Sequence, residues 1–175
     1  HISINIDPKA NYLKKLLFLA QHRPSFSLIF DRIKKKKKYN SIKEIINREF
    51  KDHQFNGQIN NIEHHYAHLS SAFHVSPFKE ACILSVDGFG DFASTAWGYG
   101  KENDIKIDQK IFFPHSLGIF YQTITQYLGF KNYGDEYKIM GLAPYGNPNY
   151  INELKKILLI NPNGSFKLNL DFFKF

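Results

Sequence analysis

Ala81-Cys82-Ile83-Leu84-Ser85-Val86-Asp87-Gly88-Phe89-Gly90-Asp91 is the stretch whose reading decides the fold. Its first six residues form a short, nearly continuous apolar run, the mark of a β-strand covered on both faces. The run stops at Asp87, and the residues 87–91 read as a turn. Residues 93–99 and 105–113 then read as two further strands, joined by a second turn at 101–104. Such a meander suggests the antiparallel part of a mixed sheet.

Upstream of the meander, residues 59–62 read as a short strand leading into His64. The run from there to Phe73 has the character of a helix, and Ser76-Pro77 ends it. Residues 8–51 read as helical. Leu13, Leu16, Leu17 and Ala20 recur at helical spacing before a break at Arg23-Pro24, and a second apolar stretch covers 26–33. Ser41 caps a third helical pattern of Ile42, Ile45, Ile46 and Phe50, with Glu44 placed as in a capping box.

Downstream, Ser116 is placed to cap a helix over 117–128, which Gly129 ends. A glycine-marked loop, a helix over 136–143 and the turn Pro144-Tyr145-Gly146 follow. A helix over 150–159, a turn at 161–164 and a last strand near 166–168 complete the layout. The reading is α/β with helices against a mixed sheet, divided into a basic helical segment (1–58) and an α/β part of the same domain (59–175).

The 175 residues suffice for one core, and 43% apolar against 22% charged residues is a globular balance. No run approaches the roughly 18 apolar residues of a membrane helix, so no membrane partner is expected. The single cysteine, Cys82, excludes an internal disulfide and reads as a buried inert thiol, in keeping with a reducing cytoplasm. The net charge of +7 is uneven: residues 1–60 carry 13 Lys/Arg against 5 Asp/Glu, and residues 61–175 carry 10 against 11. The lysine run at 34–38 is the centre of that excess. It reads as a solvated segment, without the arginine and aromatic interleaving of an RNA-binding surface, so no nucleic-acid partner is expected.

Four of the eight histidines fall within residues 64–74. His64 and His68 are one helical turn apart, which brings their rings to one face with Cβ atoms about 5–6 Å apart. Two imidazoles so placed can converge on a metal ion. Asp87, at the carboxyl end of an apolar strand and before two glycines, stands where α/β folds expose functional side chains. Two His and one carboxylate leave open coordination positions and suit ferrous iron, with zinc or manganese also compatible. The competing readings are chance histidines and an aspartate that satisfies turn amides. His65 lies about 100° round the helix and reads as packed, and His74 as structural.

Further blocks carry a family resemblance. They are Glu63-His64-His65-Tyr66-Ala67-His68, Ser71-Ala72-Phe73, Ser76-Pro77-Phe78, Val86-Asp87-Gly88-Phe89-Gly90-Asp91, Phe113-Pro114-His115-Ser116-Leu117-Gly118, Tyr127-Leu128-Gly129-Phe130, and the long block from Gly134-Asp135-Glu136-Tyr137-Lys138 to Ala143-Pro144-Tyr145-Gly146. In this order across 63–146 they resemble the O-carbamoyltransferase family that includes NodU, CmcH and TobZ. The flanks, 1–60 and 147–175, fit it only loosely. Asp135 stands where a small residue is expected, and Asp91 where Glu is common.

The resemblance implies an actin/Hsp70/sugar-kinase-like (ribonuclease H-like) fold and a longer natural protein. It further implies that a separate carbamoyl-phosphate-processing domain makes carbamoyl adenylate from carbamoyl phosphate and ATP. The first domain then passes the carbamoyl group to a hydroxyl of a small-molecule or sugar acceptor beside a bound iron. His64, His68 and Asp87 match the family's iron ligands by position. Gly88, Gly90, Ser116, Gly118, Glu136 and Lys138 are the expected nucleotide and substrate contacts: glycines for close backbone approach, the helix start after Ser116 for amide donors, and Lys138 for phosphate charge. The chain by itself is expected to be inactive. Two alternatives are a threonylcarbamoyl-transferring, tRNA-modifying relative with residues 34–38 on RNA, and a non-catalytic module in which the metal only holds the fold.

Overall fold

The computed structural model describes residues 1–22, 42–51 and 54–173. The elements run β1 (Ile2–Ile4), α1 (Tyr12–His22), α2 (Ile42–Glu49), β2 (Ile59–Asn61), α3 (His64–Phe73), β3 (Glu80–Gly90), β4 (Ala93–Lys101), β5 (Asp104–Phe112), α4 (Leu117–Tyr127), α5 (Glu136–Leu142), α6 (Ile151–Ile157), β6 (Leu158–Ile160) and β7 (Phe166–Leu168). The expected break at Arg23-Pro24, the stretch 26–33, the lysine run 34–38 and the Ser41 cap lie outside the described residues.

β3, β4 and β5 form the antiparallel meander, in that order. Its first hairpin is tighter than the expected five-residue turn. β3 continues to Gly90, and only Asp91 and Phe92 reverse the chain, both with positive φ (48° and 75°). Paired left-handed residues match the right-handed twist of the flanking strands, which is why two-residue hairpins adopt them. The ladder is regular as far as Val86↔Thr95, then breaks until Gly90↔Ala93. An irregularity of this kind re-aims side chains, and Asp87 falls within it.

The expected single mixed sheet is not found among the described residues. Among the described residues parallel pairing joins only β1 with β2, while β6 pairs antiparallel with β7. β1 itself was not anticipated, because three residues starting a chain carry too little periodicity to be read as a strand. α6 is shorter than expected: it stops at Ile157, and residues 158–160 turn into β6.

The core forms where α3 lies on the meander. Leu69 and Phe73 pack on Ile83 and Ala96, with Ala81, Ile105 and Ile107 against them. β3 is not covered on both faces as expected. Side chains alternate with period two, so Ile83 and Ser85 face the core while Leu84 is 65% exposed and Val86 49%. Cys82 shares that outward register and is exposed, which overturns the buried thiol.

On α1 the expected stripe Leu13, Leu16 and Leu17 is exposed. The helix instead anchors through Phe18, whose ring meets Phe113 (4.9 Å) and Phe92 (5.7 Å) edge to face. The α4 reading holds. Ser116 Oγ accepts from Ile119 N (3.1 Å), and Gly129 follows with φ 97°, the left-handed glycine that ends many helices.

Candidate metal centre

α3 begins at His64 because two carboxylates meet its unsatisfied amide donors. Glu63 Oε2 accepts from Tyr66 N (2.8 Å), and Asp91 Oδ2 accepts from His64 N itself (2.9 Å). The helix then carries His64 and His68 on one face, ring centroids 4.6 Å apart, towards the irregular end of β3. Asp87 meets them there. Its Oδ2 lies 2.7 Å from His64 Nε2 and 3.6 Å from His68 Nε2, and the two Nε2 atoms are 3.0 Å apart.

These separations fit one cation. Ligand atoms at about 2.0–2.2 Å from a metal lie roughly 2.8–3.6 Å from one another in octahedral or tetrahedral arrangements, and the three atoms here, at 2.7, 3.0 and 3.6 Å, lie in or just short of that range. The tautomer points the same way. His64 Nδ1 lies 3.3 Å from Asn5 O, so with its hydrogen there the ring turns an Nε2 lone pair towards the Asp87 carboxylate. In that tautomer Nε2 and the Asp87 carboxylate are two acceptors 2.7 Å apart, an arrangement that a shared metal ion would satisfy.

Burial by itself pushes the Asp87 carboxyl up. The hydrogen bond with His64, the Gly88 N–H (2.6 Å from Oδ1) and the nearby His64 and His68 outweigh it and hold the group below the usual carboxylate range. Asp87 is therefore anionic at neutral pH, which favours a cation.

His65 is packed, as expected, and fully buried. Its Nδ1 is 2.9 Å from Ser85 Oγ and its ring lies edge to face with His64 at 5.4 Å. Burial holds its pKa below the usual imidazole value. Beside the helix start, Lys110 Nζ sits 3.0 Å from Glu63 Oε1 with both side chains largely enclosed, a pair the sequence reading missed because 47 residues separate them.

Four of the six residues expected to contact nucleotide or substrate surround the same strand end. A Cβ on Gly90 would fall 2.5 Å from His64 Nε2 and closer still to Cδ2 and Cγ, so the absent side chain makes room for the imidazole. A Cβ on Gly118 would fall 2.6 Å from Asp87 O and 2.7 Å from Gly88 N, so the first turn of α4 lies directly on the Asp87–Gly88 backbone. Ser116 Oγ donates to Gly88 O (2.7 Å) and ties the two together. Glu136 and Lys138 stand apart on α5, which packs on α4. Lys138 Nζ is held by Asp135 Oδ1 at 2.6 Å, and Asp135 Oδ2 accepts from Asn132 N (3.0 Å). That pairing lowers the Asp135 pKa and raises that of Lys138. The aspartate at this departure from the family pattern thus holds the lysine expected to meet phosphate.

An α/β domain whose helix start and strand end converge two imidazoles and a carboxylate is the class these observations define. Residues 7–175 match the family described as carbamoyltransferase N-terminus, and the chain belongs to that family. It is 46% identical over 114 residues to the uncharacterized protein sll1178 of Synechocystis, covering 65% of this chain and 18% of that protein. It is 35% identical over 131 residues to the nodulation protein NolNO of Sinorhizobium fredii, covering 74% and 19%. Against the nodulation protein NolO of Bradyrhizobium diazoefficiens the figures are 39% over 113 residues, 63% and 20%. The chain spans about a fifth of the length of these relatives.

Proposed function

We propose that this chain is the metal-binding part of the first domain of an O-carbamoyltransferase with an actin/Hsp70/sugar-kinase-like fold. In the whole protein it passes a carbamoyl group, drawn from carbamoyl phosphate and ATP through carbamoyl adenylate, to a hydroxyl of a small-molecule or sugar acceptor. The observation that carries this reading is the triangle of His64, His68 and Asp87 within a chain of the carbamoyltransferase family.

The residues fit ferrous iron by donor type and spacing. Iron bound there would supply a Lewis acid that polarises the carbamoyl oxygen or lowers the pKa of the attacking hydroxyl. The chain's own residues prepare the place. Asp87 contributes negative charge, and the Asn5 carbonyl fixes the His64 ring with Nε2 forward. Two of the triangle's members are partly open, with His68 48% and Asp87 41% exposed at the side chain, which leaves room for an acceptor oxygen to approach. The first turn of α4, laid against Asp87 by Ser116 and Gly118, presents backbone donors beside the site, where adenylate phosphate is the ligand they suit.

The test is anaerobic ferrous-iron affinity of the purified protein beside His68→Ala and Asp87→Asn. Stoichiometric iron, weakened at least ~10-fold by each substitution, is expected. Iron binding indifferent to both would refute the ligand set.

A further inference from the structure

We infer that Asp91 is a positioning residue of the metal centre, holding His64 by its backbone and by its ring at once. The inference rests on the reading of His64 as a ligand. Asp91 Oδ2 accepts from His64 N (2.9 Å) and from Asp7 N (2.8 Å), and Asp91 O accepts from Asn11 Nδ2 (2.9 Å). A single residue therefore joins three parts of the chain: the hairpin turn, the N-terminal segment and the first residue of α3.

The consequence for His64 is twofold. The carboxylate bond fixes where α3 begins, and so where the Cα of the first imidazole stands. The bond to Asp7 and the side-chain amide of Asn11 hold the N-terminal segment in place, and two residues before Asp7 the Asn5 carbonyl meets His64 Nδ1 at 3.3 Å. The preceding residue, Gly90, lies against the same ring, with no side chain to displace it. Backbone, ring nitrogen and ring face are thus all referred to one turn.

The backbone shows that this turn serves more than chain reversal. Asp91 has φ 48° and Phe92 φ 75°, left-handed conformations in which glycine sits without strain and which side chains such as Phe rarely adopt. A hairpin that only needed to reverse direction would be served by Asn-Gly. Here Phe92 is held by the rings of Phe18 and Phe113, and Asp91 by its two amide donors.

Asp91→Gly separates the roles, because glycine suits the positive φ yet removes the carboxylate. The probe is ferrous iron alone under anaerobic conditions, with Co²⁺ absorption as a report of ligand geometry and thermal unfolding as a report of the fold. The Gly variant is expected to lose ~10–100-fold in iron affinity, the range for groups that orient metal ligands. Its Co²⁺ spectrum is expected to change while the variant still unfolds cooperatively, with a midpoint lowered by the loss of two amide acceptors but partly restored by glycine at a positive φ. Asp91→Asn, which keeps one acceptor oxygen and tolerates the left-handed turn, is expected to fall between wild type and Gly, and it decides the matter should the Gly variant not fold. Unaltered iron affinity and Co²⁺ spectrum in the folded variants would overturn the inference. Parallel measurement of His68→Ala distinguishes the two failures. If it too binds iron as wild type does, the ligand reading has failed and this inference with it. If it loses iron while the Asp91 variants do not, only the positioning role falls.

Discussion

Gly90→Ala adds one methyl group to the floor of the site, and its effect follows from the space it would enter. The new Cβ would lie 2.5 Å from His64 Nε2 and nearer to two ring carbons, where carbon contacts need about 3.5 Å or more. The imidazole must therefore retreat by at least ~1 Å, whereas a metal site holds its ligand distances to about ±0.2 Å. One of the atoms struck, Cγ, lies on the axis of the outer torsion, so rotation about that bond does not relieve the contact. Gly90 does not have a positive φ, so alanine is not strained in its backbone. The whole penalty is thus the overlap, about 1–3 kcal/mol of overpacking. Iron affinity is expected to fall by about 100-fold, the upper end of what disturbed ligand orientation costs. Urea unfolding and anaerobic iron titration read the two quantities. Pairing the substitution with His64→Ala makes the reasoning sharper. Without the ring the three nearest atoms are gone, so most of the stability penalty should disappear, giving a coupling of about 1–3 kcal/mol in the double-mutant cycle. Unchanged iron affinity, or a penalty that persists without the His64 ring, would refute it.

Ser116→Ala removes the cap of α4 and its tie to Gly88, and is expected to cost about 1–2 kcal/mol in denaturant unfolding. Glu63 links stability to acid. Burial raises its pKa, but Lys110 and the Tyr66 N–H lower it further, to a net value below the usual 4.5. A depressed carboxylate contributes stability that is fully present above 4.5 and is lost as pH falls through the lowered folded value. Unfolding measured across the acid range should show this loss, and Glu63→Gln should flatten part of it. At neutral pH the same substitution leaves the largely enclosed Lys110 with an amide acceptor but no opposing charge, at a cost of about 1–3 kcal/mol.

Elements with a local signal were legible in the chain itself. The Ser116 cap and Gly129 stop bound α4 because capping is a matter of a few adjacent residues. The three meander strands were readable from apolar runs and turn residues. His64 and His68 announce their shared face by a spacing of one helical turn. The misreadings are equally physical. An apolar run such as 81–86 does not say whether both its faces are covered. Cys82, Leu84 and Val86 therefore proved exposed. The α1 stripe was amphipathic, but an amphipathic stripe need not find a partner, and Phe18 made the contacts instead.

By itself the sequence determined the α/β class, the meander, the helix that carries two imidazoles, and membership of a family through motifs whose order is its own evidence. The tertiary structure alone decided that Asp87 meets those imidazoles at 2.7 and 3.6 Å. It also decided that the Asn5 carbonyl meets the ring of His64, that Gly90 makes room for that ring, and that the Asp91 carboxylate joins His64 N to Asp7 N. The reason lies in range. Spacing within a helix is set by the bonded geometry of neighbouring residues. Contacts across 23, 59 or 27 positions depend on how a strand irregularity, a two-residue turn and a helix start are packed against one another.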